Sequence, residues 1–478
     1  MILFFCVVCF GHGQRLLMLM LVPSASFGIV LFHREDEDLK VSIYTLGCRL
    51  NQCESEALAQ AFEKAGFTVP SSSEPSRIHI VNTCTVTSKA EQKARRMIRL
   101  FAEQEATDVV IVTGCYAQLN QTELEALSPK VVVVGGLVKS RLLDLPSIIS
   151  GSAEKDLLTL CRRFAEGMET PGIVENPFGF DATKFTFHSR AYLKVQDGCD
   201  NNCYYCRVHI ARGPSVSLPV ETAVSRALEL EALGYHEIVL TGVNLTMYNH
   251  SSDGIGGLLE ALLNVLRDDT RIRFSSLEPD HVDDRFLSLI SDHRVQPHFH
   301  IPIQSASDSV LRRVNRSYNS AELVDIIGRI RQARPGAFLA CDVIAGLPGE
   351  GDAEFSQTYD FIRDNGFAQL HVFPFSPRPG TMLFGAKDRP CEQVRDDRAK
   401  LLRELSDELH RKYIRRQSQM PVELLLEKKV GSYWNALSGN YIKTRIEDRP
   451  GFSRGDIVQA RFPVLDGSED DITVDSLC

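Results

Sequence analysis

Three short β-rich runs, residues 41–48, 78–84 and 109–115, each end in a cysteine: Cys48, Cys84 and Cys115. A helical pattern follows each run, over 54–65, 88–105 and 118–127, so the repeat is that of a βα unit. Parallel strands put their carboxyl ends on one edge, and in an open α/β sheet that edge is where ligands bind. The pattern therefore predicts that three cysteines far apart in sequence meet at one point. The alternative is three unrelated buried cysteines. Against it, each cysteine sits in a Gly or Thr turn just past the apolar run.

A second set is local. Cys199, Cys203 and Cys206 are spaced Cys-x3-Cys-x2-Cys, which offers three thiolates to one soft metal centre and leaves a coordination position open. A structural zinc would close its tetrahedron, and only His209 stands near enough in sequence to do so. With Tyr205 just before the last cysteine, this spacing resembles the radical S-adenosylmethionine (SAM) enzymes, whose 4Fe-4S cluster binds SAM at its one free iron. The chain holds 13 cysteines, six of them in these two triplets, which disfavours a disulfide framework and fits a reducing, cytoplasmic setting. A net charge of -9 argues against a basic coat over the whole surface but leaves room for a local basic patch.

Residues 185–375 carry a second α/β rhythm. Strands are predicted over 191–195, 237–241, 271–275, 299–303, 338–344 and 369–373. Helices fill the gaps, over 219–233, 258–266, 284–292, 307–314, 320–334 and 354–365. Six βα units predict a partial (βα)6 barrel with its site at the strands' carboxyl ends, where the Cys199 loop also falls. Short strands over 422–427, 440–445, 457–462 and 472–474 predict a small β-barrel at the carboxy-terminal end. The expected class is thus α/β, with an open parallel βα domain at 39–150, a linker at 151–184, the partial barrel at 185–410 and the small barrel at 411–478. Residues 1–38 are mostly apolar, but Gly11 to Arg15 break the stretch, no basic region precedes it, and neither half could span a bilayer. They read as an over-extended gene start, with translation beginning near Leu39 and no membrane partner.

Residues 40–478 resemble the radical SAM methylthiotransferases, which join an amino-terminal cluster domain, a radical SAM barrel and a small RNA-binding barrel called TRAM. The runs Thr45 to Gln52, Asn82 to Thr87 and Thr113 to Gln118 resemble the branch acting on threonylcarbamoyladenosine in tRNA. Isopentenyladenosine in tRNA and a ribosomal protein are the other substrates of the family, and a non-catalytic RNA-binding cluster carrier is a further alternative. The resemblance implies an enzyme with two 4Fe-4S clusters, one on Cys199, Cys203 and Cys206 and one on Cys48, Cys84 and Cys115, both open irons facing one cavity. The first would reduce SAM to a 5′-deoxyadenosyl radical; the second would deliver sulfur to carbon 2 of the adenine, whose C–H bond gives acid–base chemistry no handle. It further implies SAM contacts from Tyr205, Gly242, Asn244, Ser276, Glu278 and Gln304, and partners comprising tRNA, an electron donor and a sulfur source.

Three positions depart from the family pattern: Val216, Ala306 and Gly351. Cys53 could offer a competing thiolate, or be a small apolar residue on the first helix. RNA contact is expected from Lys412, Arg415, Arg416, Lys428, Lys429, Lys443 and Arg445, interleaved with Tyr413, Tyr433, Trp434 and Tyr441. Lys89, Lys93, Arg95, Arg96 and Arg99 would add a second basic surface near Cys84.

Overall fold

A computed structural model describes residues 39–70, 74–168, 172–249, 254–467 and 472–476; the expectation for residues 1–38 lies outside them. Strands β1 (Val41–Thr45), β2 (Ile78–Thr83), β3 (Val109–Gly114) and β4 (Val131–Val133) form a parallel sheet in the order β1-β2-β3-β4. Every residue of β2 and β3 is buried, as expected for a parallel sheet covered on both faces. The fourth strand, three residues long, is too short to stand out in the sequence. Helices Arg49–Lys64 and Ser88–Ala102 follow the first two cysteines, the second capped by the Thr87 hydroxyl, which accepts from the Ala90 N–H. The helix expected over 118–127 is instead two, Cys115–Leu119 and Gln121–Glu125, broken at Asn120. Their shared residue takes an extended φ of -139°, so one helix cannot run through it.

The barrel is built from β5 (Ala191–Lys194), β6 (Gln196–Asp197), β7 (Val216–Ser217), β8 (Glu237–Thr241), β9 (Arg271–Phe274), β10 (His298–His300), β11 (Phe338–Ala345) and β12 (Gln369–Pro374). Two parallel sheets, β5-β8-β9 and β10-β11-β12, supply the six expected strands, and the Leu277 N–H donates to the His300 carbonyl across their junction at 2.9 Å. The strand expected over 299–303 is only three residues long because Pro302 cannot donate to a ladder. The short pair β6–β7 ties down the two ends of the Cys199 loop.

Strands β13 (Pro421–Val430), β14 (Tyr433–Ser438), β15 (Lys443–Glu447), β16 (Ile457–Arg461) and β17 (Ile472–Ser476) close a barrel in the order β13-β14-β15-β17-β16. The helix Glu392–Arg415 leads into it and packs on β12, so the small barrel's core, with Leu424, Trp434 and Phe462, continues into Phe338 and Ala340. Here the sequence reading needs correction. Trp434 lies inside this core, its indole N–H donating to Asp448 at 2.6 Å, and Tyr413 is buried with its hydroxyl on the Gly336 carbonyl. Strand β14 escapes the sequence reading because its aromatics look like a stacking surface. Of the four expected RNA-facing aromatics only Tyr433 is exposed.

Candidate active site

The sheet register brings the first three cysteines together. Thr45 pairs with Asn82 and Thr83 with Gly114, so Cys48, Cys84 and Cys115 sit just past three adjacent strand ends. Two glycines make the approach possible. Gly47 and Gly114 have φ of +104° and +96°, and a Cβ on Gly47 would lie 2.6 Å from Cys84 Cβ, one on Gly114 2.4 Å from the Thr83 carbonyl. Burial pushes the Cys84 thiol up to about 12, and Cys115 and Cys48 beside it add to the shift. Burial raises the Cys48 thiol as well, and a multiply charged metal centre relieves the cost of deprotonating two such thiols side by side, so the donor set fits an iron-sulfur cluster. Cys53 is not part of the group. It is buried with its sulfur 3.6 Å from the Tyr192 carbonyl, and burial holds its thiol at about 12, which leaves it a core residue.

Cys199, Cys203 and Cys206 line a cavity of about 200 Å³ at the carboxyl ends of the barrel strands. Tyr205, Asn244, Glu278 and Gln304 line it too, whereas Gly242 and Ser276 do not, and neither does His209. The amino-terminal domain contributes Thr85, Val86 and Thr87, the residues just after Cys84, so that domain roofs the barrel mouth. Two features fit a bound SAM. The Asn244 side-chain nitrogen is buried without a partner, and Gln304 is held at a φ of +61°, a left-handed conformation that non-glycine residues rarely take. Burial raises the Cys206 thiol to about 12 and the Cys199 thiol to about 11. Burial likewise lifts the Glu278 carboxyl to about 7, despite its 3.0 Å ion pair with Arg316, and Arg316 also donates to Cys203 Sγ at 3.4 Å.

A buried charge network runs from Cys115 to Asp197, two residues before Cys199. Arg212, five residues past Arg207 on the short helix Val208–Arg212, donates to Cys115 Sγ at 3.3 Å, Asn51 at 2.7 Å, Glu54 at 3.1 Å and Asp197 at 2.9 Å. Lys194 bridges Glu54 at 2.9 Å and Asp197 at 2.6 Å, and Lys139 pairs with Glu54 from the other side. Burial would raise the Glu54 carboxyl, but Arg212, Lys139 and Lys194 together hold it well below its ordinary value. Nearer the cavity, Arg207 and Arg378 both reach Glu91, on the helix after Cys84. The sequence reading missed this network. Its signal was a lysine inside the apolar run of β5, followed three residues later by an aspartate.

Lys412, Arg415, Arg416, Lys428, Lys429, Lys443 and Arg445 are exposed, as are Lys89, Lys93, Arg96 and Arg99; Arg95 is tied to the Tyr116 hydroxyl and Glu123. Among the described residues no helix is long and apolar enough to cross a membrane.

Residues 40–136 match the family described as uncharacterized protein family UPF0004, and residues 193–362 match the radical SAM superfamily. The chain is 37% identical over 462 residues to the threonylcarbamoyladenosine tRNA methylthiotransferase MtaB of Treponema pallidum, covering 86% of this chain and 95% of that protein. It is 33% identical over 450 residues to the Bacillus subtilis protein of the same name, covering 91% and 98%. Among solved structures it is similar to the radical S-adenosylmethionine methyltransferase TsrM of Kitasatospora setae, with a TM-score of 0.50 over 73% of this chain and 77% of that one. At 14% identity that likeness concerns the fold.

Proposed function

Because the chain belongs to the radical SAM methylthiotransferase family, we propose that it adds a methylthio group to carbon 2 of N6-threonylcarbamoyladenosine beside the anticodon of tRNA. Membership of the radical SAM superfamily brings SAM and one 4Fe-4S cluster, which Cys199, Cys203 and Cys206 would hold. A second cluster on Cys48, Cys84 and Cys115 is part of the proposal. When bound, the first supplies a carbon-centred radical from SAM and the second supplies the sulfur.

The chain's own residues have three tasks. Asn244, Glu278 and Gln304 orient SAM at the cavity wall, the Asn244 amide through its unused donor. The residues from Thr85 to Thr87 roof the cavity and limit which groups can reach its interior from solvent. Arg212 runs from Cys115 to Asp197, two residues before Cys199, and this is the observation that carries the reading: two open three-thiol groups, one on each domain, with one buried guanidinium bridging the segments that bear them. A cytoplasmic setting, with its thiol-reducing poise, suits both. The basic faces of the small barrel and of the helix Ser88–Ala102 suit a tRNA backbone.

Mass spectrometry of tRNA nucleosides tests the assignment. Deleting the gene should remove 2-methylthio-threonylcarbamoyladenosine, and wild-type protein but not Cys84→Ala should restore it. Persistence of that nucleoside in a strain without a paralogue, or loss of a methylthio group from isopentenyladenosine or a ribosomal protein instead, overturns the substrate.

A further inference from the structure

Arg49 follows Cys48 directly and opens the helix Arg49–Lys64, yet its guanidinium has no carboxylate partner among the described residues. The side chain is half-buried, its Nη1 is fully buried without a hydrogen bond, and its Cζ lies 5.1 Å from the centre of the Tyr441 ring. Tyr441 projects from the small barrel and is fixed by a φ of +67°. Two more arginines face the same ring, Arg273 at 5.2 Å and Arg190 at 5.7 Å, but those two are answered by carboxylates. Arg273 pairs with Glu237 at 2.6 Å, and Arg190 with Glu427 at 3.2 Å. Three cations thus meet two anions, and Arg49 is the unmatched one. Asp342, which lines the cavity, is already engaged by His300 at 2.8 Å. His300 in turn packs edge-on against His371, 5.3 Å between ring centres. A half-buried cation without a counter-ion is costly, and an arriving anion removes that cost.

We propose that Arg49 binds the carboxylate of the threonylcarbamoyl group on the substrate adenosine and so selects that nucleoside. The inference rests on the function proposed above. In adenine, N6 is separated from carbon 2 only by the ring atoms N1 and C6, so the N6 substituent lies along the reacting edge. A base whose carbon 2 faces the Cys48 group therefore carries its substituent into the reach of the next residue. Guanidinium matches a carboxylate in a fork geometry that a neutral isopentenyl group cannot use. Lysine would keep the charge and lose the fork.

The test is equilibrium binding of the reconstituted holoenzyme to anticodon stem-loop RNAs, read by fluorescence anisotropy. Three RNAs carry threonylcarbamoyladenosine, its neutral carboxamide, or unmodified adenosine at the target position. Wild type should bind the acid at least about tenfold more tightly than the carboxamide, the range of a charge-assisted hydrogen bond. Arg49→Gln should bring that ratio below about twofold, and Arg49→Lys should leave part of it. Iron content and far-UV circular dichroism report whether the variants are folded, and the acid–carboxamide comparison needs no variant. Equal binding of acid and carboxamide by wild type overturns the inference. So does an Arg49→Gln variant that keeps the preference, that weakens both RNAs alike as a phosphate contact would, or that loses affinity for SAM. Turnover separates the two readings: wild type that methylthiolates threonylcarbamoyladenosine while indifferent to the carboxylate sinks this inference alone, and wild type that does not act on that nucleoside sinks both.

Discussion

The two cysteine groups are assembled in opposite ways. Cys199, Cys203 and Cys206 lie within one loop pinned by β6 and β7, so covalent neighbourhood does most of the work of gathering them. Cys48, Cys84 and Cys115 are gathered by the register of three strands and by two glycine turns, so they exist as a group only while the sheet is folded. Bringing distant ligands together costs chain entropy that the sheet's packing must offset, whereas a short loop has little left to lose. The lesson is that the loop group can be read as a motif and the sheet group only as a topology.

Removing one ligand from each group breaks the comparison most sharply. Cys203→Ala should lower reductive SAM cleavage by at least about three orders of magnitude, because among the described residues the cavity lining holds no thiol besides Cys199, Cys203 and Cys206. Cys84→Ala should leave 5′-deoxyadenosine formation within a few-fold of wild type while iron falls from about eight to about four per chain. Loss of all iron in Cys84→Ala would show that the groups are one site. Loss of SAM cleavage in Cys84→Ala with iron retained at the loop would show that the sheet group does more than hold sulfur.

The same contrast explains what was legible. The six barrel strands and the strand-end position of Cys48, Cys84 and Cys115 follow from apolar periodicity, which local sequence carries. Glu54, Lys139, Lys194, Asp197 and Arg212 did not show, because their meaning lies in pairings between residues from four segments. Trp434 and Tyr413 were misplaced for a related reason. An aromatic beside a lysine looks like a stacking surface until the alternation of β14 puts Trp434 inward and Tyr433 outward. Gly242 and Ser276 follow the right strands yet lie outside the cavity lining, since periodicity locates a strand end without saying which residue turns inward.

A second prediction probes the network that ties the groups together. Glu54→Gln would leave Lys139 without a carboxylate and Arg212 and Lys194 sharing Asp197, three buried cations against one carboxylate, at a cost of about 3–5 kcal/mol in urea unfolding. The sheet group depends on this contact and the loop group less so. In a urea titration of reconstituted Glu54→Gln, about half the iron should therefore be released at lower urea than the rest. Release in one step, at the wild-type midpoint, would mean that the network contributes little.

The smallest effect separates two carboxylates, one beside each group, whose titrations run in opposite directions. Glu54 is held well below its ordinary value by three cations, so its contribution is present at neutral pH and is lost as pH falls. Glu278 is lifted by burial from 4.5 to about 7, which makes its protonated form the one the fold prefers. Between these values the folded protein keeps a proton that the unfolded chain has released, so stability falls as pH rises. Below 4.5 and above about 7 this group adds no further slope. The loss across that window is on the order of 3 kcal/mol, since each pKa unit corresponds to about 1.4 kcal/mol. Urea midpoints of the cluster-free protein at pH 5.0 and 8.0 measure it. Wild type should lose stability relative to Glu278→Gln on going to the higher pH, because the amide has no proton to release. A difference between wild type and variant that stays constant with pH would mean that Arg316 keeps Glu278 ionised throughout, and that the loop group's carboxylate behaves like the sheet group's after all.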